Sequence, residues 1–258
     1  MNQKNNILFL GTGTSTGVPM IGCHCDVCNS VDSKDKRWRT SAAVQYQGLK
    51  FQIDIGPDFR AQMLYHDMRD FDALLLTHEH RDHVAGFDDI RALNVMNQKR
   101  YPIYASKLCF DNTLEQFPYI AKNPNYDLVP KFDFHEINAE ESFKVEGVEI
   151  IPIGIIHGKL PILGFRFGAL TYITDASFIA DEEISKIKGT KILVINALRY
   201  EKHATHFTVD EALECINKIQ PEQAYLLHFS HQIGKHEEVS RKLPHNVFMA
   251  YDGLRVEF

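Results

Sequence analysis

The chain has 258 residues, 44% hydrophobic and 24% charged, a composition that supports a packed core rather than disorder. Its formal net charge is −6 and it carries no Lys/Arg-rich block, so the electrostatic footprint of a duplex-binding protein is missing. The opening residues are polar, residues 7–10 are too short for a signal-peptide core, and no apolar run reaches spanning length, so a cytoplasmic protein without a membrane partner is expected.

Residues 7–10 read as the first strand. They run into Gly11-Thr12-Gly13-Thr14-Ser15-Thr16-Gly17. The third glycine is misplaced for a dinucleotide fingerprint and no helical pattern follows, so the loop reads as a place where backbone passes close to another element. Next comes Cys23-His24-Cys25-Asp26-Val27-Cys28, which holds three of the five cysteines. The spacing C-x-C-x-x-C suits metal thiolates better than a disulfide framework, and three thiolates need a fourth ligand for a closed tetrahedral zinc site. His24 is disfavoured because both its neighbours are ligands.

Residues 40–46 and 49–55 read as a hairpin around Gln47-Gly48. The second segment ends in Ile53-Asp54-Ile55-Gly56, where Asp54 can either cap a turn or orient a metal-bound histidine from behind. Residues 58–66 look helical. The apolar run Leu74-Leu75-Leu76 then stops at Thr77-His78-Glu79-His80-Arg81-Asp82-His83. A buried strand ending in three histidines and an aspartate within six residues is a metal-binding loop. His78 and His80 are two apart, so they share one side of an extended backbone. The apolar spacing after residue 84 approaches a helical period.

Residues 97–136 change character: eight aromatics and four prolines (Pro102, Pro118, Pro124 and Pro130) with weak periodicity suggest an insertion or lid at the site's edge within a single 1–258 domain, rather than a regular layer. From residue 140 the β pattern returns. The strand at 148–156 ends at His157, and a hairpin over 163–167 and 169–174 ends at Asp175, whose two oxygens can bridge two metals. A short helix over 181–188 and a strand over 191–196 follow. Thr208 with Glu211 forms a capping box for a helix over 209–219, and the strand at 225–227 ends at His228. Residues 247–250 and 254–258 are again β-like. Ligand-type residues thus close strand after strand, which is what one open face of a layered α/β protein produces.

The H-x-H-x-D-H set, then His157, Asp175 and His228, with the early Asp54, resemble the metallo-β-lactamase fold superfamily along nearly the whole chain. The glycine loop, the cysteine cluster and His228-Phe229-Ser230-His231 resemble the PhnP-type phosphodiesterases within it, which cleave a cyclic phosphodiester of ribose. The resemblance implies an αββα sandwich with a dinuclear site of two divalent ions, zinc or manganese. It puts one ion on His78, His80 and His157 and the other on Asp82, His83 and His228, with Asp175 bridging. It supplies the missing fourth ligand of a structural zinc site as His231, beside Cys23, Cys25 and Cys28. It also implies attack on phosphorus by a hydroxide held between the two ions, with Asp82 orienting it. A general-acid histidine is placed within residues 199–208. His206 is the choice, because His206-x-Thr208 resembles the tRNA 3′-processing nucleases, and His203 is the reserve. The expected partner is a small phosphodiester substrate, with nucleic acid less favoured, and a homodimer is implied. The competing readings are a tRNA 3′-processing nuclease, disfavoured by the acidic chain without a basic arm; a thioester hydrolase of the hydroxyacylglutathione type, disfavoured by the cysteine cluster; and a non-hydrolytic relative, disfavoured by seven intact ligand positions.

Overall fold

The structure is a computed structural model that describes residues 4–122, 126 and 128–258. The first half of the chain contributes β1 (Asn6–Gly11), β2 (Ser41–Tyr46), β3 (Leu49–Ile53), α1 (Phe59–Tyr65), β4 (Ala73–Leu75), α2 (Arg81–Val84), α3 (Ile90–Asn97), β5 (Tyr101–Ala105), α4 (Lys107–Gln116), α5 (Pro118–Lys122) and β6 (Phe132–Glu136). The second half contributes β7 (Phe143–Val145), β8 (Val148–His157), β9 (Leu160–Phe167), β10 (Leu170–Tyr172), α6 (Asp181–Ile187), β11 (Ile192–Asn196), α7 (Val209–Ile219), β12 (Gln223–Leu227), α8 (His236–Ser240), β13 (Val247–Met249) and β14 (Arg255–Glu257).

The strands form two mixed seven-stranded sheets, in the orders β14-β1-β2-β3-β4-β5-β6 and β13-β12-β11-β10-β9-β8-β7. Period-two alternation decides which side of each sheet a residue faces. In β4, Ala73 and Leu75 join the core between the sheets, whereas Leu74 joins the core under α1, α3 and α4. In β11, Ile192 and Val194 face the other sheet, while Leu193 and Ile195 face α6 and α7. Both faces of these strands are therefore buried, which explains their unbroken apolar runs. The result is the expected αββα sandwich.

The helix expected over 209–219 forms with its capping box in place. Thr208 accepts from the Glu211 backbone N–H at 3.1 Å, and Glu211 accepts from that of Thr208 at 2.9 Å. The glycine loop passes close to its neighbour, as its sequence suggests: a Cβ on Gly11 would sit 2.0 Å from the Arg39 carbonyl oxygen.

Residues 97–136 correct the sequence reading. Among the described residues of this segment, β5 and β6 form part of a regular layer, extending the first sheet in parallel with Tyr101 opposite Phe132 and Ala105 opposite Glu136. The aromatics pack this layer: Phe110 stacks on Phe134 at 3.8 Å between ring centroids and meets Phe132 edge-on at 5.7 Å. The short alternating pattern Phe132-Asp133-Phe134-His135 is that of an edge strand, and the prolines obscured it. Pro124 lies outside the described residues.

Candidate metal centre

The sandwich brings one end of each sheet together, and the chain turns there immediately after β3, β4, β8, β10 and β12. Six imidazoles and two carboxylates converge: His78, His80, His83, His157, His206 and His228 with Asp82 and Asp175. Ring centroids lie 4.2 Å apart for His78 and His83, 4.6 Å for His78 and His80, 5.0 Å for His80 and His157, and 4.9 Å for His206 and His228. Their donor atoms fall into overlapping groups, each within 4.8 Å: His78/His80/His157, His78/His83/Asp175, Asp82/Asp175/His228 and His157/Asp175/His206.

Three histidines have their tautomers fixed from behind. Thr77 donates its hydroxyl to Asp54 Oδ2 (2.8 Å), so its oxygen accepts from His78 Nδ1 at 2.9 Å. His83 Nδ1 donates to Asp54 Oδ2 at 2.7 Å, and His157 Nδ1 to the Thr205 carbonyl oxygen at 2.7 Å. Each ring therefore aims an Nε2 lone pair into the centre. The Nε2 atoms of His78 and His83 are buried without any hydrogen-bond partner. Orphaned buried acceptors are costly in a dry interior, about 1–3 kcal/mol each, and a divalent cation is the partner that suits neutral imidazoles beside carboxylates. The residues present thus fit metal ions.

The electrostatics agree. Burial alone would depress His83, but Asp175, Asp82 and Asp54 around it hold its imidazole well above the ordinary histidine value. Asp175 is opposed by burial too, yet His228 and His83 keep its carboxyl well below the usual range. A positive charge is wanted at the spot that His83 Nε2 faces, 3.4 Å from both Asp82 Oδ2 and Asp175 Oδ1. Burial and the neighbouring His83 lower His78, while burial and His157 lower His80, so both are neutral donors.

His228 has a threonine hydroxyl within hydrogen-bond distance of each ring nitrogen. Nδ1 lies 2.9 Å from Thr40 Oγ1 and 3.2 Å from Asp175 Oδ1, and Nε2 lies 3.2 Å from Thr14 Oγ1. Serving as a ligand would require His228 to exchange one of these contacts.

Sequence reasoning missed the scaffold. Thr14, Thr40, Thr77 and the Thr205 carbonyl each touch a ring named above, and Asn196 pins the peptide after Asp175 by accepting from Ala176 N (2.7 Å) and donating to Ala176 O (3.0 Å). Asp54, Asp175 and His228 share a left-handed backbone, with φ of 56°, 57° and 62°. Such non-glycine residues cost on the order of 1–3 kcal/mol and cluster at functional sites, where the surroundings over-determine them. The signal was each residue's place just past a strand; the conformation itself was not legible. Of the two readings of Asp54, the structure favours the one behind the metal loop.

His206 enters the centre. Its Nδ1 is buried without a hydrogen-bond partner, 3.8 Å from Asp175 Oδ2, and burial followed by the neighbouring His228 lowers it to about 3. His203 lies one ring farther out, 5.1 Å from His206, and its Nδ1 accepts from the Thr205 backbone N–H at 3.3 Å.

The cysteine cluster stands apart. Cys23 Sγ and Cys25 Sγ each lie 3.3 Å from His231 Nδ1, and Cys28 completes a four-ligand group. The Cys28 backbone N–H and then His231 lower Cys25 to about 6, so this thiol reaches the thiolate form readily. His24 is exposed and outside the group. Among the described residues no helix is long and apolar enough to cross a membrane.

Residues 50–229 match the family model of the beta-lactamase superfamily domain. The solved structure of a new diphosphatase from the PhnP family superposes with a TM-score of 0.91 and 38% identity, over 99% of this chain and 98% of that one. A protein of Porphyromonas gingivalis named octanoyltransferase is 40% identical over 96% of this chain, which spans only 50% of that relative's length. A ribonuclease Z of Methanopyrus kandleri is 25% identical over 99% of both chains. The chain belongs to the beta-lactamase superfamily, and within it to the metallo-β-lactamase-fold hydrolases of PhnP type.

Proposed function

We propose that the protein hydrolyses a small phosphodiester, cyclic or nucleotide-like, using two divalent ions, zinc or manganese. His78, His80 and His157 would hold one ion and Asp82, His83 and His228 the other. Asp175 would be shared, and Cys23, Cys25, Cys28 and His231 would hold a separate structural zinc. The observation that carries this reading is that Asp175 belongs to three of the four His/Asp groups, the position of a bridging carboxylate.

Two ions bound there would supply Lewis-acid activation of water and of the phosphoryl oxygens. The chain's own residues do the rest. Asp54 and Thr77 hold the ligand rings in one tautomer. Asp82, with 14% of its side chain exposed, is placed to orient an attacking water as well as bind metal. His206 would donate a proton to the departing alkoxide once the anionic phosphate beside it offsets the burial that otherwise keeps its ring neutral; such a step is worth roughly 10²–10⁴-fold, and His203 is the alternative donor. The PhnP-family diphosphatase at 38% identity supports phosphoryl chemistry over the other readings.

The ribonuclease Z likeness, which spans the whole chain, makes RNA processing the second reading. The octanoyltransferase name belongs to a protein of which this chain covers half, and it makes an acyl thioester the further substrate to try. The decisive comparison is turnover by the metal-loaded protein of an aryl phosphodiester, a ribose cyclic phosphate, a pre-tRNA and an acyl thioester. Turnover of the small phosphodiesters is expected to dominate, and faster cleavage of pre-tRNA or thioester overturns the reading. A homodimer in the cytoplasm is part of the same proposal, and sedimentation at micromolar concentration tests the dimer.

A further inference from the structure

Between the glycine loop and the segment that leads into β2 lies an open cavity of about 570 Å³, distinct from the residues of the metal centre. Its size falls within the ~300–1,000 Å³ of small-molecule sites. Its walls combine three aromatic rings, Trp38, Tyr65 and Tyr251, with a concentration of basic side chains. Lys34, Lys36, Arg37 and Arg39 line it against Asp58 and Asp252, four cations to two carboxylates, in a chain whose overall charge is −6. Tyr65 is 72% exposed and meets Trp38 at a steep angle at 5.2 Å, so most of its ring is open to solvent. The Lys34 ammonium stands 4.8 Å from the Tyr251 ring centroid. Arg39 is fixed by paired contacts of 3.0 Å to Asp58, and Arg37 is buried on Thr12 and the Ala250 carbonyl, which leaves the exposed Lys34 and the free donors of Lys36, whose ammonium also meets the Cys28 carbonyl oxygen at 2.9 Å, to meet a ligand.

Aromatic faces beside cations are the chemistry that holds a base and its phosphate together: the base stacks without sequence preference, and the phosphate meets the ammonium groups. We infer that this cavity binds a nucleotide, its base against Tyr65 and Trp38 and its phosphate against Lys34 and Lys36. The site lies outside the metal ligands, and the inference does not depend on which ester the metal centre cleaves.

Trp38 is the only tryptophan in the sequence, so the protein carries its own reporter at the cavity wall. The test is to titrate adenosine 5′-monophosphate into the metal-loaded protein and follow tryptophan fluorescence. Adenosine and inorganic phosphate are titrated in parallel. Lys34→Ala and Tyr65→Ala, both exposed positions, serve as variants, and circular dichroism checks their fold. The expected result is a saturable change with the monophosphate, affinity for adenosine or phosphate alone about ten-fold or more weaker, and about five-fold or more weakening in each variant. No saturable change, phosphate binding as tightly as the nucleotide, or undiminished nucleotide affinity in both variants overturns the inference; the last result would place the nucleotide at the metal centre instead.

Discussion

Replacing Asp54 by Asn tests how the metal loop is held. Asp54 is fully buried and accepts three hydrogen bonds, from Thr77 N at 2.8 Å, Thr77 Oγ1 at 2.8 Å and His83 Nδ1 at 2.7 Å. An amide has the same shape and tolerates the positive φ of this position, so the backbone is left alone. Its single oxygen must stay on Thr77 N. The amide nitrogen then replaces Oδ2 and faces Thr77 Oγ1 and His83 Nδ1 as a donor. Two contacts invert. His83 either meets donor with donor or moves its proton to Nε2, and a protonated Nε2 cannot bind metal. Losing one hydrogen bond to a charged group costs about 1.5–3 kcal/mol, which is about 10–150-fold in affinity at 1.4 kcal/mol per decade. Losses of about 10–100-fold are usual when a partner behind a metal ligand is removed. The assay is a chelator-competition titration of the metal-loaded variant alongside kcat/KM on an aryl phosphodiester, with the thermal midpoint as a check on folding. Wild-type metal affinity and turnover in Asp54→Asn would refute the account of how His83 is oriented.

Other substitutions probe other parts of the structure. His206→Ala should keep its metals but lose about 10²–10⁴-fold on a substrate with an alkoxide leaving group, and much less on a nitrophenyl ester. An equal loss on both substrates would remove His206 as the acid. Cys25→Ser should weaken the dinuclear centre without touching any of its ligands. His231 lies three residues beyond His228, and Phe229 between them is tied to the glycine loop by Phe229 N to Thr12 O and Thr14 N to Phe229 O, both 2.9 Å. Unchanged metal occupancy at the His/Asp site counts against that link. His236 is lowered to about 4 by burial and then by Arg37, whose Nη2 lies 3.1 Å from its Nδ1. A histidine depressed in the fold contributes stability that is present above its unfolded value near 6.5 and is lost as pH falls towards 4. His236→Gln can still accept from Arg37, so between pH 7 and 4.5 its thermal midpoint should fall less than that of the parent; equal falls would contradict the assignment.

The strands and their terminal residues were legible because burial on both faces writes unbroken apolar runs, and the ligands sit where those runs stop. His78 to His83 could be read as a metal loop on spacing alone. The capping box at Thr208 and Glu211 was equally plain, since its partners are three residues apart. The scaffold of the centre was not. Thr40 meets His228 from 188 residues away and Thr14 from 214, and a threonine in a strand or loop has no sequence feature that reveals such a contact. The left-handed turns at Asp54, Asp175 and His228 fall on residue types that tolerate that backbone, but aspartates and histidines are too common elsewhere in the chain for that tolerance to mark these three. The 97–136 segment was misread for a different reason. Its strands are short and lie toward one edge of the sheet, where apolar runs are interrupted by polar residues and prolines, and the aromatic excess reflects packing of that layer.

The central claim is that Asp175 and the histidines around it hold two catalytic ions that act on a phosphodiester. The most direct measurement is metal content by mass spectrometry of the purified protein and of Asp175→Ala, read with turnover of an aryl phosphodiester on the same samples. The account predicts two ions at the His/Asp site, one more at the cysteine cluster, and turnover that is lost with the first two while the third is retained. Full phosphodiester turnover in an Asp175→Ala protein without those two ions, or no turnover in parent protein with both in place, would contradict it.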